Sequence, residues 1–119
     1  MEKMLILFSI IAFSTSCTHY SKKEIVDVSR KQELLIFPNN KTPTGYQLNV
    51  FAETDGEFKL QFLQRRWNSE KKDTISSFDL SGGKIDKSFK GDWYADTLFL
   101  LYTPKTVKAG VIKLKYSID

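Results

Sequence analysis

The chain has one cysteine and one histidine among 119 residues, and each scarcity closes off a class of function. A lone cysteine, Cys17, cannot form an internal disulfide, so the fold must hold without covalent staples. The lone histidine, His19, follows two residues later. Zinc sites commonly draw on several Cys or His, and a Ser-His-Asp relay would have to be built around His19, near the start of the chain. No catalytic residue, no metal site and no cofactor emerges from these residues, and the chain reads as a non-enzyme. Six glycines and three prolines are too few for a low-complexity tract. Neither sign of charge dominates: 18 Lys and Arg stand against 14 Asp and Glu, a net +4. Lysines alternate with acids along most of the chain. Such a balance gives solubility and a weak pull toward anionic surfaces, and it excludes a nucleic-acid protein.

Long hydrophobic runs are also missing, with one exception. Met4 to Phe13 (MLILFSIIAF) is apolar apart from Ser9, follows Lys3, and leads into Ser14-Thr15-Ser16 and then Cys17. A short charged segment, an apolar stretch and small residues come in the order of a secretory signal. The stretch is too short to span a bilayer, which takes about 20 residues. The segment resembles the type II signal peptides of bacterial lipoproteins, with Ser14-Thr15-Ser16-Cys17 in the lipobox position. The resemblance covers residues 1–17 alone. It implies removal of residues 1–16, a diacylglyceryl thioether on Cys17 and acylation of its new α-amine. Ser14 and Ser16 also satisfy the small-x-small rule of an ordinary secretory cleavage site, so plain secretion is the alternative. Residues 17–24 read as the lipidated end and a polar tether, and 25–119 as a single domain. No acidic run follows Cys17, so the expected location is the cell envelope, membrane-anchored and facing the periplasm.

Beyond the tether, helical periodicity is absent and alternation recurs. Strands are expected at 33–37, 45–52, 57–64, 75–81, 84–89, 97–102 and 111–118, with a doubtful eighth at 24–28. Residues 97–102 (TLFLLY) are apolar on both faces, which marks a central strand. A three-residue Thr54-Asp55-Gly56 turn with Gly56 left-handed would pair Ala52 with Phe58, Val50 with Leu60 and Leu48 with Phe62. A two-residue Gly82-Gly83 turn would set Leu80 against Ile85. These expectations describe an all-β, seven-stranded antiparallel sandwich, immunoglobulin-like or jelly-roll-like, with a small barrel as the alternative.

Two aromatic segments stand out as candidate binding residues. Arg65-Arg66-Trp67 opens a polar loop, and Asp92-Trp93-Tyr94 sits in a stretch, Lys90 to Asp96, that reads as a glycine-hinged loop. Exposed Trp and Tyr beside polar groups grip sugar faces or protein partners; equally, a Trp at a strand end caps a sandwich core. The leading expectation is a membrane-anchored, non-catalytic module that binds a protein or glycan through its loops. The alternative is an immunity or inhibitor lipoprotein that plugs a toxin or hydrolase with Trp67 or Trp93.

Overall fold

Period-two alternation gives most of the strands one apolar face, and two sheets closed face to face bury those faces together. The computed structural model describes residues 20–66 and 69–119, so Cys17 and Trp67 lie outside the described residues. The strands are β1 (Ser21–Glu24), β2 (Gln32–Ile36), β3 (Gly45–Thr54), β4 (Phe58–Arg65), β5 (Lys72–Leu80), β6 (Gly83–Asp92), β7 (Leu98–Pro104) and β8 (Gly110–Ile118). One sheet runs β1-β8-β3-β6 and the other β2-β7-β4-β5, with every pairing antiparallel. This is the strand order of a double-sheet jelly roll rather than an immunoglobulin sandwich. Among the described residues there is no helix, and so none long and apolar enough to cross a membrane.

The core is built from facing rows: Leu48, Val50, Ile112 and Leu114 from one sheet, Phe58, Leu60, Leu100 and Tyr102 from the other. Tyr102 is fully buried, and its hydroxyl donates to the Val28 carbonyl, fastening the β1–β2 connection to the core. Burial pushes that hydroxyl up to about 12, so it stays a neutral donor throughout the physiological range. β7 is interior, as its two-sided apolarity implies.

Two expected hairpins are replaced by sheet crossings. β3 pairs with β6 and β8, not β4; β5 pairs with β4, and β6 with β3. The predicted Ala52–Phe58 and Leu80–Ile85 registers are therefore wrong, although all four residues do face the core. Alternation identifies the buried face of a strand and is silent about which sheet the strand joins. Every connection except β4–β5 passes from one sheet to the other. An eighth strand is present, but at Ser21–Glu24, within the segment read as a tether. β6 runs on to Asp92, so the first part of the supposed glycine-hinged loop is strand.

The β3–β4 crossing is held by the β7–β8 connection. Asp55 Oδ1 accepts from the backbone N–H of Lys108 at 2.8 Å and of Ala109 at 3.1 Å, which holds its carboxyl below the usual range. The Glu57 carbonyl accepts from the N–H groups of Lys105 and Thr106, and Thr106 Oγ1 accepts from Glu57 N–H at 2.7 Å. Gly56 is not left-handed; positive φ occurs at Gly83 and Gly110. Glycine is required at 56 because a Cβ there would meet the Thr106 carbonyl carbon at 2.5 Å and Val107 N at 2.6 Å. Gly56→Ala must push two backbone segments apart. It should cost about 2–3 kcal/mol and lower the thermal midpoint by on the order of 10 °C. An unchanged melting curve by circular dichroism would refute the close approach.

Candidate binding groove

The outer face of the β2-β7-β4-β5 sheet carries an apolar stripe. Leu35, Phe99 and Leu63 stand in register across β2, β7 and β4. Opposite the Phe62–Leu63 step the β4–β5 register shifts, because β5 holds an extra residue, Ile75. Phe62 points into the core beside Tyr46, while Leu63 lies on the outer face. Phe99 is buried on that face under two cations. The Arg65 guanidinium carbon is 5.5 Å and the Lys72 ammonium 4.2 Å from its ring centroid. Each such contact is worth about 0.5–1 kcal/mol at an exposed site. Lys72 Nζ also donates to Glu33 Oε1 at 2.8 Å.

Beside this stripe, where the β6–β7 connection meets β2 and β4, lies a groove of ≈660 Å³. Leu35, Phe37, Tyr94 and Phe99 supply its apolar surface; Gln64, Arg65, Asp96 and Thr97 supply donors and acceptors. Tyr94 is 71% and Phe37 66% exposed, so both rings are accessible to a ligand. The size and the mix of ring faces with a few polar groups suit a small organic ligand.

Of the six candidates, Arg65 at the end of β4 and Tyr94 in the β6–β7 connection both reach this groove. Arg66 does not. Its guanidinium is committed to Asp73, with Nη2 2.6 Å from Oδ1 and Nε 3.2 Å from Oδ2. That pair holds the Asp73 carboxyl below its ordinary range, and the Arg66 N–H to Lys71 carbonyl bond closes the loop around it. Asp92 ends β6 opposite Gly45 and lines a different depression with Gln47 and Ser117. Trp93 is 2% exposed and packs edge-on against Phe62 at 6.4 Å between ring centroids. It is the core cap, and it cannot serve as an inhibitory plug. Gly91 is a slot rather than a hinge: a Cβ there would strike the Tyr46 ring at 2.6 Å. Among the described residues no group of three or more His, Cys, Asp or Glu is placed to hold a metal ion.

Leu35, Phe37 and Phe99 were missed as site residues. Their signal was present: ELLIF is apolar at consecutive positions, so half of its side chains must point away from the core. Phe37 stands just before Pro38, at the end of the strand.

No protein-family model and no curated protein sequence matches the chain. Solved structures do. The Yersinia pseudotuberculosis-derived mitogen superposes with a TM-score of 0.60 at 14% identity, over 87% of this chain and 88% of that one. A CBM4 carbohydrate-binding module superposes at 0.50 and 12% identity, over 84% of this chain and 71% of that one. At these identities the likeness is one of fold, a small β-sandwich.

Adjacent aromatic residues with opposite burial give a direct test. Trp93→Ala should destabilise the domain by about 3–5 kcal/mol, whereas Tyr94→Ala should stay within about 0.5 kcal/mol. Chemical denaturation of both variants measures this. Equal effects would contradict the assigned orientations.

Proposed function

We propose that this protein is a cell-envelope lipoprotein whose β-sandwich is a non-catalytic module binding glycans in the Phe37–Tyr94 groove. The groove itself carries the reading: two largely exposed aromatic rings flank Arg65, Gln64, Asp96 and Thr97 in one concavity. The C–H face of a sugar ring packs on an aromatic face, while its hydroxyls can accept from Arg65 and Gln64 and donate to Asp96. The sandwich fold shared with a carbohydrate-binding module is compatible with a glycan ligand. The lipobox-like segment ending at Cys17 supports the anchor.

Each half of the proposal has its own experiment. All eight strands and the core lie within residues 20–119, so a fragment from Thr18 to Asp119 carries the whole fold. On a glycan array this fragment should retain a defined set of saccharides. Titration calorimetry with one of them should show Tyr94→Ala weakening binding at least about tenfold, a loss of roughly 1.4 kcal/mol. A blank array, or binding indifferent to Tyr94 and Arg65, overturns the groove reading.

For the anchor, cells expressing the full chain should incorporate radiolabelled palmitate into it, and Cys17→Ser should abolish the label. Label that survives the substitution overturns the anchor.

A further inference from the structure

The outer face of the β1-β8-β3-β6 sheet lies on the other side of the sandwich from the groove, and its charges are arranged differently. Register places Lys22 beside Lys115, and Glu24 beside Lys113, on β1 and β8. Across β8, β3 and β6 the next positions are Lys113-Phe51-Asp86 and Val111-Glu53-Lys84. On the groove sheet two lysines are matched, Lys72 with Glu33 at 2.8 Å and Lys105 with Asp79 at 3.0 Å, while Lys59 reaches no carboxylate within 4 Å among the described residues and Arg65 lies over the Phe99 ring. On this sheet Lys22, Lys84 and Lys113 reach no carboxylate within 4 Å among the described residues, although Glu24, Glu53 and Asp86 share the face. Lys22, Lys23, Lys113 and Lys115 surround a shallow depression of ≈520 Å³ floored by Phe51, with Glu24 as its one acid. Phe51 and Val111 are each 47% exposed on the same face.

The N-terminal segment enters the domain across this face. Tyr20 lies over it, its hydroxyl donating to Gln47 Oε1 at 2.8 Å and its ring covered by the Lys115 ammonium at 4.7 Å. Three residue steps separate Tyr20 from Cys17, and an extended chain of that length spans at most about 11 Å. A lipid on Cys17 would therefore hold the Tyr20 end of this face within about 11 Å of the lipid attachment point, comparable to the Debye length of about 8 Å at physiological salt.

We propose that the β1-β8-β3-β6 face docks on an anionic lipid surface, its unpaired lysines meeting headgroup phosphates and Phe51 and Val111 resting at the interface. The groove is then presented away from the membrane. The orientation rests on the Cys17 anchor, but the lysine face is testable without it.

The probe is co-sedimentation of the 18–119 fragment with vesicles rich in phosphatidylglycerol, against vesicles of phosphatidylcholine alone. The fragment should partition onto the anionic vesicles only, and less so as salt rises. Lys113→Gln with Lys115→Gln should weaken partitioning about 20-fold. Lys59→Gln with Lys105→Gln removes the same charge from the opposite sheet and should leave it within about twofold. Equal losses from both pairs would show attraction by net charge alone and overturn the face. No sedimentation with anionic vesicles would overturn it as well. The fragment lacks Cys17, so either failure is separate from a failure of palmitate labelling.

Discussion

The structure depends on one constraint: two sheets with no covalent link must bury their apolar faces against each other and nothing else. The chain meets it by crossing between the sheets at every connection but one, so that nearly every strand is tied to the facing layer. A crossing must turn sharply across about 10 Å of core, and polar backbone exposed in the turn needs partners. Asp55 and Glu57 find them in the β7–β8 connection. Gly56 lets the two backbones approach closely enough for those bonds to form. The clasp does for this end of the sandwich what a disulfide does in many small domains.

Much of this was legible in the sequence, and the limit of legibility has a physical origin. Alternation in GYQLNVFA and FKLQFL fixed which side chains are buried, because a strand's period of two leaves no other choice. The same alternation is satisfied whether the two buried rows lie side by side in one sheet or face each other across the core. Asp55-Gly56 looks like a hairpin turn in isolation and becomes a crossing only when Lys108 and Ala109 arrive, more than fifty residues later. β1 was unreadable for a different reason. Ser21–Glu24 is exposed along its length, and its place is set by backbone pairing with β8 rather than by an apolar face. Half of the groove escaped notice because Phe99 and Leu35 sit in strands whose other face is core. Apolar residues there were credited to burial.

Under the two proposals, the outer faces of one fold would divide two tasks. On the groove sheet, all but Lys59 of the strand cations and their neighbours are spent on structure: Lys72 on Glu33 and Phe99, Arg65 on Phe99, Lys105 on Asp79, Arg66 on Asp73. An exposed ion pair adds little stability, about 0–1 kcal/mol, but it neutralises the surface around the stripe. On the opposite sheet the lysines are left without such partners, and the field they produce extends into solvent. Stability explains neither choice well. The proposed division, between a largely paired face for a specific ligand and a basic face for a diffuse one, would account for both.

Trp93 and Tyr94 show how the core serves the groove. The backbone N–H of Trp93 donates to the Thr44 carbonyl at 3.1 Å, and its ring is held against Phe62, so the backbone at 93 is fixed from both sides. Tyr94 is the next residue, and an extended chain sends it the opposite way, into solvent beside Phe37. The tyrosine therefore needs little further ordering when a ligand arrives, and less of the interaction free energy is lost to freezing a loop. Arg65 is positioned by the same economy. Its guanidinium lies over Phe99 near the groove. A site read only from exposed residues would omit Trp93, yet the groove keeps its shape because that side chain is buried.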